Sequence, residues 1–151
     1  MTKELKSKQN ELKDKLRGRG MRATPQRLAI FKALIKTEEH PAAESIYSEI
    51  RKSFPATSRA TVYSTLKSLQ KAGLAREIGS FGDIRRFDGN LHLHAHLICI
   101  GCNKIEDIEH LDGAANLESH IIEKKGYQLT KNFLSFSGYC PKCKDKIRKR
   151  I

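Results

Sequence analysis

The sequence has no apolar run approaching the roughly 18 residues that a membrane-spanning helix requires. Its N-terminus is charged and helix-forming and lacks the apolar segment of a secretory signal. These absences predict a chain that stays off membranes and works in the cytoplasm. Cysteine is scarce: there are four, and all fall in two C-x-x-C pairs, Cys99–Cys102 and Cys140–Cys143. In a cytoplasmic chain such clustering points to metal rather than to a disulfide framework. There is no internal repeat and no obvious catalytic nucleophile, so an enzyme is not the expectation.

What is present is positive charge. The chain has 151 residues, room for one ordinary domain or two small ones, and is 38% hydrophobic and 30% charged, a soluble globular composition. Lys and Arg total 29 against 17 Asp and Glu. The excess is uneven, with 19 basic and 10 acidic residues over 1–91 but 10 and 7 over 92–151. An anionic partner is therefore expected at the first part of the chain. Charge kept for solubility would account equally well for the net value alone.

Residues 3–17 read as a charged helix with a thin apolar stripe of Leu5, Leu12 and Leu16, ended at Gly18 and Gly20. A second helix opens at Thr24-Pro25, an N-cap followed by proline at the first helical position, with Leu28, Phe31 and Ile35 on its core face. A third covers 43–54, burying Ile46, Tyr47 and Ile50, and stops at Pro55. A fourth opens near Thr57 or Ser58, carries Val62, Leu66 and Leu69 on one face, and ends at Gly73. Two strand-like runs, 74–78 and 84–87, follow around the turn-forming Gly79-Ser80-Phe81-Gly82-Asp83. Helices followed by a two-stranded hairpin describe a winged helix-turn-helix.

The remainder reads as strands over 95–100 and 104–108, a helix over 112–125, a longer strand over 127–137, and a solvated or frayed basic tail over 144–150. The fold class is therefore α+β. A winged-helix domain over 1–88 is followed by a hinge at 89–91 and a small α+β domain over 92–151. Four thiolates in two close pairs suit a closed tetrahedral Zn²⁺ site, with Lys104 and Lys142 beside the sulfurs to offset charge. Asn103 falls where the turn wants a left-handed residue. A redox C-x-x-C at Cys140-Pro141-Lys142-Cys143 is the competing reading. Before the first pair, His92, His94 and His96 alternate, so in an extended segment they share one face. Asp88 and Asp107 flank them, and His40 stands alone before Pro41. A second metal site without thiolate follows from this pattern, although loop histidines and aspartates are often incidental.

The sequence resembles the ferric uptake regulator family over nearly its whole length. The resemblance rests on Arg22-Ala23-Thr24-Pro25-Gln26-Arg27, His40-Pro41, Ala60-Thr61-Val62-Tyr63, Arg86-Phe87-Asp88, His94-Ala95-His96-Leu97-Ile98-Cys99 and Cys140-Pro141-Lys142-Cys143. It implies a homodimeric repressor with an N-terminal winged helix, a C-terminal dimerisation domain and a regulatory metal between them. The chain is most similar to the peroxide-responsive members, whose regulatory Fe²⁺ or Mn²⁺ takes three His and two Asp. By motif these fall on His40, Asp88, His94, His96 and Asp107. Iron-uptake sensors typically carry Glu at the last position, and zinc-uptake sensors use a Cys that has no counterpart here. Leu93, Ala95 and Asn132 occupy places where a further metal site of the family finds ligands, so that site is expected to be absent. His92, His110 and His120 are given no role.

The helix from Ser58 should enter the major groove of double-stranded DNA by its N-terminal half. Arg59, Tyr63, Ser64 and Lys67 are the candidate contacts there, with Arg22 ahead of the second helix and Arg85 and Arg86 in the wing. A dimer predicts an inverted-repeat operator, A/T-rich by family analogy. The resemblance also implies oxidation of His40 or His94 by peroxide when iron is bound. An iron-dependent repressor of uptake genes and a zinc-ribbon metalloenzyme remain the alternatives.

Overall fold

A proline that cannot donate a backbone hydrogen bond is an asset only at a helix start, and the chain uses one there. In the computed structural model, Thr24 caps α2 (Pro25–Ile35), its Oγ1 accepting from the Arg27 N–H at 3.3 Å, with Pro25 in the first turn. Structure is described for residues 3–37, 39–81, 84–109, 111, 113–129 and 134–148. Gly82, Asp83, His110, Asp112 and Asn132, which figured in the sequence reading, lie outside them. The chain divides into two compact units, Met1–Leu91 and His92–Ile151.

The first unit holds α1 (Lys3–Gly18), α2, α3 (Ala43–Ser53) and α4 (Arg59–Lys71), then a hairpin of β1 (Arg76–Phe81) and β2 (Ile84–Asp88). Ser58 caps α4 by accepting the Thr61 N–H at 3.0 Å. The helix ends in a Schellman motif. Gly73, at φ 69°, donates to the Gln70 carbonyl, and Leu74 N–H to the Leu69 carbonyl at 2.8 Å. The hairpin pairs Arg76 with Asp88 and Phe81 with Ile84, so β1 runs further into the expected turn than the apolar run suggested. Helices followed by this hairpin form a winged helix-turn-helix.

Leu16, Ile30, Leu34, Ile46, Val62, Leu66 and Leu69 are fully buried in one core. The expected face of α2 was incomplete: Leu28 and Phe31 are buried, but Leu34 takes the place assigned to Ile35, which is 40% exposed. The reason is that α2 packs against α1, α3 and α4 and buries residues around most of its circumference. Ile35 instead meets the backbone after β2. A Cβ on Gly89 would stand 2.7 Å from Ile35 Cγ2, so only glycine fits that crossing.

The second unit is a three-stranded sheet of order β4–β3–β5, from β3 (Ala95–Cys99), β4 (Ile105–Ile108) and β5 (Leu134–Gly138), with α5 (Ala114–Lys125) and α6 (Pro141–Arg148). β3 runs antiparallel to β4 and parallel to β5. Contrary to the expected strand over 127–137, residues 127–129 are not strand, and among the described residues β5 covers Leu134–Gly138. The basic tail is solvated as expected, with 144–147 exposed, but it does not fray in its described part: α6 continues to Arg148 from Pro141, and its first turn also carries Cys143. No helix among the described residues is long and apolar enough to cross a membrane.

Candidate metal centres and nucleic-acid interface

All four cysteines are free thiols, and their sulfurs lie within 4.8 Å of one another. Two tight turns produce this. After β3, the Asn103 N–H returns to the Cys99 carbonyl at 2.7 Å, with Asn103 at φ 58° as its amide allows. After β5, Cys140 precedes α6, and Lys144 N–H closes on its carbonyl at 2.9 Å. Gly101 is the feature the sequence reading overlooked. A Cβ there would stand 3.0 Å from both Cβ and Sγ of Cys143, so a bare backbone lets the turns close.

Electrostatics reinforce the geometry. The Cys140 N–H, 3.2 Å from the Cys99 sulfur, pulls that thiol down to about 6. A side-chain hydrogen bond with Cys140 pushes the Cys143 thiol up to about 12. Four sulfurs this close resist ionising together without a cation. A tetrahedral ion with bonds of about 2.3 Å to sulfur needs S···S edges of about 3.8 Å. Cys102 Sγ lies 3.9 Å from Cys140 Sγ, so the donor set fits zinc. Lys104, expected to offset the thiolates, is ion-paired with Glu106, which is also the main reason its pKa is raised.

The second unit also gathers His94, His96 and Asp107. His96 faces Asp107 directly across the β3–β4 pair, and both histidines are buried. Their Nε2 atoms are 3.0 Å apart, with Asp107 Oδ1 at 3.8 Å from His94 and 3.7 Å from His96. His94 Nδ1 lies 2.8 Å from the His92 carbonyl, which can only accept. The proton must therefore sit on Nδ1, leaving the Nε2 lone pair for a ligand. Two nitrogens bound cis to one divalent ion at about 2.1 Å would be about 3.0 Å apart. This nitrogen–oxygen donor set fits such an ion. The backbone of His92 thus has a use that its exposed ring did not suggest. His120 is exposed on α5.

In the first unit His40 and Asp88 are buried, with ligand atoms within 4.8 Å of each other. His40 sits at φ 51°, a left-handed conformation that costs a non-glycine residue roughly 1–2 kcal/mol. Neighbours hold it. Arg86 Nη1 donates to the His40 carbonyl at 3.2 Å, Phe87 N–H donates to the Pro41 carbonyl at 3.1 Å, and Ala42 bridges to Arg86. Asp88 ends the same strand and accepts the Asn90 N–H at 2.7 Å.

The exposed face of α4 presents Arg59, Tyr63, Ser64 and Lys67, with Tyr63 45% exposed. Ser64 Oγ is occupied by the Thr61 carbonyl at 3.0 Å. Arg22 is exposed, and its carbonyl accepts from Arg27. Arg85 reaches out from the wing and lies 3.7 Å from Glu77. Arg86, grouped with it as a phosphate contact, is half-buried and turned to His40.

The model of the ferric uptake regulator family matches residues 18–137. The chain belongs to the ferric uptake regulator family. It is 36% identical to the peroxide-responsive repressor PerR of Staphylococcus saprophyticus over 97% of this chain and 100% of that one. Among solved structures, the Campylobacter jejuni peroxide stress regulator is 34% identical, with a TM-score of 0.71 over 95% of this chain and 100% of that one. The Vibrio cholerae ferric uptake regulator is 28% identical, with a TM-score of 0.67 over 85% and 98%. The match spans both units, so the winged helix-turn-helix and the three-stranded sheet are those of a ferric uptake regulator fold.

Proposed function

We propose that this chain is a metal-dependent transcriptional repressor that binds DNA as a homodimer and releases it in response to peroxide. The observation that carries the reading is the meeting of buried His94 and His96 with half-buried Asp107, the His94 lone pair already set for a ligand. Similarity to proteins named peroxide-responsive repressors supports the same conclusion.

Cys99, Cys102, Cys140 and Cys143 hold a structural zinc. His94, His96 and Asp107 from 92–151, joined by His40 and Asp88 from 1–88, hold the regulatory Fe²⁺ or Mn²⁺, with 89–91 as the hinge. Nitrogen and oxygen ligands without thiolate suit these ions. Bringing both carboxylates to one site would be disfavoured without the ion's charge. Moving such a hinge from 1:99 to 99:1 requires about 5.5 kcal/mol of differential binding.

Bound iron would supply the one-electron chemistry that turns peroxide into an oxidant of nearby side chains. The chain's own part is to present the His40 and His94 rings there and to keep them buried. DNA contacts come from Arg22, Arg59, Tyr63, Ser64, Lys67 and Arg85, while Arg86 acts through His40. Leu97 and Phe136, paired in register on the sheet and 41% and 57% exposed, offer an apolar surface for the second protomer. The protein is a cytoplasmic regulator rather than an enzyme.

Mass spectrometry of the Fe²⁺-loaded protein after peroxide tests the reading. One added oxygen atom is expected on a peptide containing His40 or His94. Unmodified protein that still binds its operator would sink it.

A further inference from the structure

Arg59 is the first residue of α4, directly after the N-cap Ser58. Its guanidinium is held on two sides. Nε donates to both carboxylate oxygens of Glu44 at 2.9 and 3.1 Å, and Nη2 is ion-paired with Oε1 at 2.8 Å. Below the plane lies the Tyr47 ring, 4.7 Å from the guanidinium carbon to the centroid. Glu44 and Tyr47 both belong to α3. Three contacts and a stacked ring therefore fix one rotamer of a side chain that is still 64% exposed.

The occupied edge is the one formed by Nε and Nη2. Of the five N–H groups of an arginine, those on the opposite edge, Nη1 and the outer hydrogen of Nη2, still point away from Glu44. That edge is a two-donor fork of the width that matches O6 and N7 of guanine in the major groove. Adenine presents an amino donor in place of O6 and would oppose it. The Glu44 carboxylate also argues against a phosphate contact, since it cancels the charge that a phosphate would seek and repels the backbone itself. A neutralised, oriented fork at the start of a recognition helix is built for direction rather than attraction.

We propose that Arg59 reads one guanine in each operator half-site, with Glu44 and Tyr47 as the residues that position it. This rests on the DNA-binding reading above. Among A/T pairs read through shape and through the Tyr63 ring, that G·C pair would be the position of strongest discrimination.

The test uses the full-length protein with zinc and Mn²⁺ to select duplexes from a random library. The expected result is an inverted repeat with one G·C pair per half-site. Replacing its guanine by 7-deazaguanine, which lacks N7, should weaken binding by about 10-fold. Arg59→Lys keeps the charge but loses the fork, and should lose preference at that pair while retaining it elsewhere, with an unchanged salt dependence. Glu44→Gln should flatten the same preference while tightening binding to random DNA. If Arg59→Lys selects the same motif with undiminished discrimination, or if 7-deazaguanine has no effect, the proposal falls and the repressor reading stands. If the wild-type protein enriches no sequence, both fall.

Discussion

Arg86 donates from Nη1 to the carbonyl oxygen of His40 at 3.2 Å, joining the wing strand to a buried histidine in a left-handed conformation. The next residues along the strand continue the contact, through Phe87 to Pro41 and then Asp88 beside His40. A proposed metal ligand and a proposed DNA-contacting element thus share one hydrogen-bonded loop. Residues that orient metal ligands typically change affinity by 10–100-fold when removed. Arg86→Ala should accordingly lower Mn²⁺ affinity about 10-fold and leave the zinc content intact, as read by titration against a chelator. Unchanged Mn²⁺ affinity with a salt slope of DNA binding shallower by about one would instead return Arg86 to the phosphate-contacting role its sequence position suggests.

Gly101→Val tests the four-thiol cluster without touching a sulfur. The first added carbon would stand 3.0 Å from Cys143 Cβ and Sγ, and two further methyl carbons would need room beyond it. Separating the turns should leave the purified variant with less than one zinc per chain and a lower melting temperature. A fully zinc-loaded variant with wild-type melting would show that the turns do not need this close approach.

The thiols themselves give a pH signature. Cys99 is held down to about 6, chiefly by the Cys140 N–H, whereas an ordinary thiol ionises near 9. A depressed folded-state pKa favours the fold at high pH, and that contribution fades as pH falls from 9 through 6. Cys143, pushed up to about 12 chiefly by a side-chain hydrogen bond with Cys140, has the opposite sign: its contribution is full below 9 and lost as pH rises towards 12. In reduced, metal-free protein the thiolate absorbance should therefore begin to rise near pH 6 and continue well above 9. A single step near 9 for all four thiols would contradict the arrangement. With zinc bound, all four should stay deprotonated across the neutral range.

Much of this was legible in the sequence because it depends on local spacing. Thr24-Pro25, Ser58 and Gly73 mark helix ends by backbone hydrogen bonding that any chain would make, and they act as read. The four cysteines meet because two C-x-x-C turns flank neighbouring strands, and His94, just before β3, meets His96 within it, although the extended segment expected to align His92, His94 and His96 is bent at 92–93. What was hidden depends on packing between distant segments. Ile35 and Leu34 are adjacent, and only the position of α2 among three other helices decides which is buried. Gly89 and Gly101 look like ordinary turn glycines until Ile35 and Cys143 are seen against them. Arg85 and Arg86 are indistinguishable in sequence, yet successive strand residues face opposite ways, so one points to solvent and the other to His40.

Asp107 bears most directly on which signal is sensed. Asp107→Glu lengthens the side chain opposite His96 by one methylene while keeping the carboxylate. Mn²⁺-dependent operator binding should survive within a few-fold, and histidine oxidation by peroxide should fall by about 10-fold or more, an effect expected when a reacting group is misplaced by about an ångström. Loss of Mn²⁺ binding together with oxidation would make Asp107 a simple affinity determinant.

Under the proposed function, peroxide acts on the histidines only when iron occupies the nitrogen–oxygen site. Operator binding measured with Fe²⁺ or with Mn²⁺, each with and without peroxide, separates this switch from simple metal loss. DNA should be released only from the iron-loaded protein exposed to peroxide, and adding fresh metal should not restore binding. Release from both metal forms, or from neither, would rule out an iron-dependent peroxide switch.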